Sequence, residues 1–361
     1  MNKLNIILVI KSLAGGGAEK VLTLLAHGFI KAGHSVTLIT YESTKKDVYI
    51  LNPNVKRIDL SEKWLKGNVV SKNISLLNSL RNNIKSSNAD VVISFVHMVN
   101  IRTLISCIGL NIPIVVTEHC DPSKSSLNNT WRLIRKLAYP FSSKLIGVSE
   151  GVTDKFTWLK KRQTIYNPVE IDKVEKESNS KRLILGSMGR LTYQKGYNRL
   201  IKYFSVVAEE FPEWDLVIYG EGDLRTQLKQ QIIDLKLTER IFLPGFHQNS
   251  KEALTNLELF VITSHFEGFC LVIVEAMAQK VPVISFDCPS GPAELIENNV
   301  NGSLIAADDE ESMINQMRQL MLNKSERERL AEAGHTSINR FSLPEIINEW
   351  EGLFKEIIDE K

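Results

Sequence analysis

Short apolar runs alternate with amphipathic stretches along the first half of the chain. Leu4 to Ile10 is a strand-like run, apolar at every position but Asn5. A turn follows at Gly15, Gly16 and Gly17, and Glu19 to Ala32 then carries Val21, Leu24, Leu25 and Phe29 on one face of a helix. Val36 to Thr40, Val91 to Phe95, Ile112 to Thr117 and Lys144 to Val148 are the next strand candidates. Apolar strands separated by helical segments are the signature of βαβ units around a parallel sheet. Glu170 to Lys181 is polar and charged, without apolar period beyond its first residues, and reads as a linker. A second series follows, with strands Leu183 to Met188, Asp215 to Tyr219, Ile241 to Leu243, Leu259 to Thr263 and Pro282 to Phe286. The helices between them are Tyr197 to Glu210, Leu224 to Leu235, Lys251 to Asn256 and Ile273 to Gln279. Pro344 to Glu360 is a last amphipathic helix, more than the second sheet needs. The pattern predicts two doubly wound α/β domains, 1–168 and 169–343, with the helix at 344–361 returning to the first.

Composition agrees. A chain of 361 residues with 43% hydrophobic and 24% charged positions can bury a core, and its length suits two domains. Cys107, Cys120, Cys270 and Cys288 stand singly, with no zinc-type or disulfide spacing, which points to a reducing compartment. Leu4 to Ile10 is too short to span a bilayer and lacks a cleavage region, so neither secretion nor membrane insertion is expected. The net charge of +2 hides a division. Residues 1–170 hold 23 Lys and Arg against 11 Asp and Glu, whereas residues 171–361 hold 21 against 31. A basic first half suggests an anionic partner: a membrane surface, a diphosphate or a nucleic acid.

In open α/β sheets ligands collect at the carboxyl ends of strands, so chemistry should follow strands. Gly15, Gly16 and Gly17 follow the first strand and let backbone approach an anionic or sugar group, or simply make a tight turn. A dinucleotide fingerprint would need glycine where Lys20 stands, and again where Arg225 stands after Gly220 and Gly222, which disfavours a nicotinamide dehydrogenase. Arg190 and Lys195 lie in Gly189-Arg190-Leu191-Thr192-Tyr193-Gln194-Lys195-Gly196, right after a strand. Two cations there suit a diphosphate and the charge on a leaving nucleoside diphosphate; the plainer reading is a solvated surface pair. Glu267-Gly268-Phe269-Cys270-Leu271-Val272-Ile273-Val274-Glu275 sets two carboxylates eight residues apart at a loop-to-helix junction. With a helix starting near Leu271, Glu267 stays in the loop and Glu275 lies about one turn inside. Carboxylates accept from sugar and ribose hydroxyls, although an acidic pair that only complements the helix dipole has the same spacing.

These residues resemble glycosyltransferase family 4, of the GT-B fold, along essentially the whole chain. The likeness rests on the early glycine loop, Glu118-His119 after a strand, Gly189-Arg190 with Lys195, Gly220-Glu221-Gly222, and the Glu267 to Glu275 motif. Within the family the chain is most similar to bacterial enzymes that extend polyprenyl-diphosphate-linked oligosaccharides, N-acetylgalactosaminyltransferases among them, and Thr130-Trp131-Arg132 and Tyr139-Pro140-Phe141 add to this.

The resemblance implies two Rossmann-like domains with an interdomain cleft, the first binding the acceptor and the second the nucleotide sugar. It implies retaining transfer of Gal, GalNAc, Glc or GlcNAc from a UDP-sugar to a lipid-linked oligosaccharide in surface glycan synthesis. No cofactor, metal or nucleic acid is implied, and no Asp-x-Asp pair occurs in the chain. His119, Arg190, Lys195 and Glu267 would be catalytic; a lone histidine is otherwise an ordinary core residue. Gly15, Gly16, Gly17, Gly189, Gly268, Phe269, Leu271, Val272 and Glu275 would bind the donor. An epimerase or phosphorylase on the same plan, and a lectin-like binding protein, are the alternatives. The segment Trp131 to Phe141 reads as an interfacial helix, with Trp131, Ile134 and Ala138 on the apolar face, Leu137 nearby, and Arg132, Arg135 and Lys136 flanking it. The expected location is cytoplasmic, peripheral to the inner face of the cell membrane; the alternative is a surface helix packing Leu133 and Leu137 inward.

Overall fold

The computed structural model describes residues 3–62, 68–124, 127–171 and 182–359, so most of the expected linker lies outside the described residues. The chain forms two compact units, Met1–Pro168 with Leu343–Lys361, and Val169–Ser342. In the first, strands β1 (Asn5–Ile10), β2 (Ser35–Thr40), β3 (Lys56–Asp59), β4 (Val91–Phe95), β5 (Ile114–Glu118), β6 (Lys144–Gly147) and β7 (Arg162–Thr164) make one parallel sheet. Their order is β3-β2-β1-β4-β5-β6-β7. The crossovers carry α1 (Gly17–Lys31), α2 (Val69–Ser86), α3 (His97–Ser106), α4 (Asn129–Ala138) and α5 (Glu150–Thr153). Strand order reverses between β1 and β4, which makes their carboxyl ends the switch point of this sheet. β4 and β5 are buried at every residue and β1 at all but its first, which is why apolar residues dominate them.

The second unit repeats the plan. Strands β8 (Leu183–Met188), β9 (Trp214–Tyr219), β10 (Ile241–Gly245), β11 (Leu259–Ile262), β12 (Val283–Asp287) and β13 (Ser303–Ala306) lie parallel in the order β10-β9-β8-β11-β12-β13. Between them run α6 (Tyr197–Val207), α7 (Arg225–Asp234), α8 (Ser250–Thr255), α9 (Leu271–Ala278) and α10 (Pro292–Leu295), followed by α11 (Glu310–Leu322) and α12 (Lys324–Ser337). Its core joins Trp214, Tyr203, Phe204 and Phe286 to the methionines of α11.

The last helix, α13 (Leu343–Asp359), packs on α1. Phe354 and Trp350 lie 5.5 and 6.3 Å from the Phe29 ring, and His34 Nε2 meets Glu351 Oε1 at 2.9 Å. Burying each such aromatic contributes about 2 to 3 kcal/mol, which accounts for the apolar face left over from the second sheet. Among the described residues no helix is long and apolar enough to cross a membrane. Three strands are additional to those the pattern predicted: β3, β7 and β13, each at a sheet edge.

Candidate active site

In the second unit, three loops meet at the carboxyl edge of the sheet. Gly220 has φ +143, and a Cβ there would lie 1.9 Å from the Gly189 carbonyl oxygen, so the loops after β8 and β9 touch backbone to backbone. Beyond Gly189 and Arg190 a single helical turn, Tyr193–Lys195, is bound to the loop after β11. His265 N–H donates to the Gln194 carbonyl, the Gln194 side chain donates to Phe266 O, and the Tyr193 and His265 rings stack at 4.3 Å. This places Lys195 Nζ 2.7 Å from Glu267 Oε1, an oxygen that also accepts from Ser264 Oγ at 2.6 Å. Glu267 is buried. Burial opposes the Lys195 charge, but the adjacent Glu267 carboxylate outweighs it and holds the pKa above the usual lysine value. Lys195 is therefore a fixed cation at neutral pH. Arg190, on the same loop, is exposed, and among the described residues its guanidinium has no partner.

The helix that follows Glu267 begins at Leu271, as the spacing requires. Cys270 caps it at φ +64 without a side-chain bond, so the amides of Leu271 and Val272 open the helix. Glu275 is buried in its second turn. Gly268 and Phe269 complete the loop, but the Phe269 ring packs on Phe341 at 5.5 Å, leaving only its backbone for a ligand. Ser264 and the Tyr193–His265 stack carried no local signal in the sequence.

In the first unit, Gly15 (φ +101) leads to Gly16, which caps α1, and Gly17, its first residue. A Cβ on Gly16 would lie 2.3 Å from Glu19 Oε2, so glycine here makes room for a carboxylate folded back over the helix start. His119 stands just past β5, its ring stacked on Phe95 at 5.4 Å. The Thr117 hydroxyl donates its single hydrogen to Ser94 O at 3.0 Å and lies 3.0 Å from His119 Nε2. Nε2 must then carry the imidazole hydrogen, which leaves Nδ1 as an acceptor. Burial pushes the His119 pKa down to about 3, so the ring is neutral. Beside it Glu118 is fully buried and accepts from the Tyr139 hydroxyl. Burial raises its carboxyl to about 7, against the Tyr139 hydrogen bond and the Arg135 charge.

The α4 segment differs from its expected orientation. Asn128 Oδ1 caps it by accepting from Trp131 N–H at 3.0 Å. Trp131, Ile134, Arg135 and Ala138 are half-buried on the inner face, with the Arg102 guanidinium 6.0 Å from the Trp131 ring and Arg135 5.6 Å from Phe156. The outer face exposes Leu133 (59%), Leu137 (64%) and, beyond the helix, Phe141 (79%), with Arg132 and Lys136 beside them. The expected apolar face is the packed one, because those side chains find partners within the unit. Leu133 and Leu137 point outward, not inward.

Residues 15–173 match the family model described as Glycosyltransferase Family 4, and residues 168–337 match that of Glycosyl transferases group 1. The chain is a glycosyltransferase whose first half carries the family 4 domain and whose second half carries the group 1 domain. It is 27% identical over 357 residues to a Campylobacter jejuni protein, covering 97% of this chain and 98% of that one. That relative is the GalNAc-alpha-(1->4)-GalNAc-alpha-(1->3)-diNAcBac-PP-undecaprenol alpha-1,4-N-acetyl-D-galactosaminyltransferase. A second C. jejuni relative, N-acetylgalactosamine-N,N'-diacetylbacillosaminyl-diphospho-undecaprenol 4-alpha-N-acetylgalactosaminyltransferase, is also 27% identical, with the same coverage of 97% and 98%. Among solved structures, the Anabaena protein HepE in complex with UDP aligns with TM-score 0.83 and 20% identity over 98% of this chain and all of that one. Sucrose-phosphate synthase from Thermosynechococcus elongatus aligns with TM-score 0.87 and 15% identity, over 99% of this chain and 100% of that one. These likenesses place the enzyme in the GT-B fold.

Proposed function

We propose that this glycosyltransferase moves a sugar from a UDP-sugar to a polyprenyl-diphosphate-linked saccharide, retaining the anomeric configuration. The observation that carries this reading is the Lys195–Glu267 ion pair, with exposed Arg190 on the same loop. Two fixed cations at the carboxyl edge of the second sheet suit a donor diphosphate and offset the charge that grows on it as it leaves. Glu275 receives the ribose hydroxyls, Glu267 the donor sugar, and the Leu271 and Val272 amides the phosphate or sugar oxygens. His119 Nδ1, the acceptor nitrogen of a neutral ring, takes a hydrogen bond from a sugar hydroxyl. The acceptor oxygen bonds to the anomeric carbon on the face from which the diphosphate departs, and a donor phosphate oxygen takes the hydroxyl proton. UDP and the extended saccharide are the products, with no metal needed to carry the diphosphate charge.

The acceptor assignment draws on the two C. jejuni relatives, which span nearly the whole chain. The enzyme docks on an anionic membrane through Leu133, Leu137 and Phe141, with Arg132 and Lys136 against the headgroups. On this reading the enzyme lies at the cytoplasmic face, whose leaflet carries anionic lipid. A panel of UDP-sugars tested with short polyprenyl-diphosphate saccharides, without added magnesium or manganese, examines this reading. One sugar should release UDP only when acceptor is present and give an α-linked product. A β-linked product, or dependence on an added divalent ion, would contradict it.

A further inference from the structure

Glu118, Cys120 and His97 set a carboxylate, a thiol and an imidazole at the carboxyl edge of the first sheet, and glycosyl transfer uses none of them. Glu118 closes β5 and Cys120 follows at a bend two residues on, while the His119 ring lies against Thr117 and Phe95. His97 opens α3 directly after β4, which pairs with β5 through Phe95 and Thr117. One ligand atom from each of the three residues lies within 4.8 Å of the other two. Glu118 is fully buried, and its Oε1 accepts from Tyr139. Its Oε2 and His97 Nδ1 are both buried atoms without a hydrogen-bond partner among the described residues. Leaving a buried carboxylate oxygen and a ring nitrogen bare is costly, so their coincidence calls for an occupant. Val96, immediately before His97, is held at φ +73 and ψ 137, a conformation that costs a β-branched residue about 1 to 3 kcal/mol and that fixes where His97 begins.

We propose that His97 Nδ1, Glu118 Oε2 and Cys120 Sγ bind one zinc-class divalent ion, leaving a fourth position to water. Nitrogen, oxygen and sulfur donors together suit zinc, whereas magnesium does not take a thiolate. Binding releases the Cys120 thiol proton to solvent. The thiolate and carboxylate then neutralise the dication, so the Arg135 guanidinium, whose charge acts on both His97 and Glu118, faces a neutral centre. Tyr139, donating to Oε1, orients the ligating carboxylate. The ion ties the start of α3 to the loop after β5 that carries His119, and takes no part in handling the donor diphosphate.

The test uses the full chain, dialysed against chelator and titrated separately with Co2+ and with Zn2+. One Co2+ should bind per chain with a thiolate-to-metal absorption band, and one equivalent of Zn2+ should displace it and raise the melting temperature. In Cys120→Ser the band should vanish, and in His97→Gln the affinity should fall by more than about tenfold. Circular dichroism establishes that each variant folds, and either folded variant suffices. Absence of stoichiometric uptake at micromolar metal overturns the proposal, as does a band unchanged in Cys120→Ser or an affinity unchanged in folded His97→Gln.

Discussion

Glu267 in the second unit accepts from Lys195 and Ser264, whereas Glu118 in the first accepts from Tyr139 on one oxygen and keeps the other buried without a partner among the described residues. Both carboxylates stand at the carboxyl edge of a parallel sheet. Around Glu267 the charges are in place before any ligand arrives, through a turn locked to a neighbouring loop by backbone and side-chain bonds. Such an arrangement costs little reorganisation when charge develops on a leaving group. Around Glu118 the polar atoms outnumber their partners, which is the mark of a place completed by something outside the chain. On the proposed reading, the second edge is organised for catalysis, and the first for holding an additional component and orienting His119.

The largest effect is expected at Lys195. Lys195→Ala removes the cation that the proposal sets against the diphosphate and should lower turnover about 100- to 1000-fold. It also leaves Glu267 buried without its counterion, which should cost about 3 to 5 kcal/mol in urea unfolding. Lys195→Met with Glu267→Leu should recover much of that stability while turnover stays low. Near wild-type turnover in Lys195→Ala would move the donor elsewhere. Arg190→Ala comes next. Its side chain is exposed, so turnover should fall about 10- to 100-fold with the melting temperature unchanged. A large stability loss there would show that Arg190 is structural.

Smaller effects sharpen the contrast in the first unit. Replacing Leu133, Leu137 and Phe141 together by Ser should reduce flotation with anionic vesicles by about tenfold and leave UDP binding unaltered. Equal flotation of the triple variant would remove membrane docking from the outer face of α4. The smallest change is expected for Thr117→Val, which deletes the acceptor for His119 Nε2–H. Turnover should fall about three- to fivefold, the scale of one hydrogen bond. Nitrogen NMR of the ring should show Nε2–H alone in the wild type and a tautomer mixture in the variant; a mixture in both would contradict the role given to Thr117.

The chain spelled out its central strands and hid three of its four edges. β1, β4 and β5 are covered on both faces, so apolar residues dominate them, whereas β3 is Lys-Arg-Ile-Asp and β7 Arg-Gln-Thr, the polar composition of guarded sheet edges. Lys195 and Glu267 could each be found because each follows a strand. That they pair could not, because they are 72 residues apart and nothing local to either names its partner. Thr117 and Ser264 act through such partners and were missed for the same reason. α4 offers two apolar stripes, Trp131 with Ile134 and Ala138, and Leu133 with Leu137. Only the rings and guanidinium groups packed beneath it decide which turns inward.

Calorimetric titration of UDP into the wild type, Arg190→Ala and Thr117→Val measures the contrast between the two edges most directly. UDP should bind the wild type without added metal, bind Arg190→Ala at least about tenfold more weakly, and bind Thr117→Val with unchanged affinity. Undiminished binding to Arg190→Ala, or binding abolished in Thr117→Val, would contradict the assignment of the donor diphosphate to the second unit.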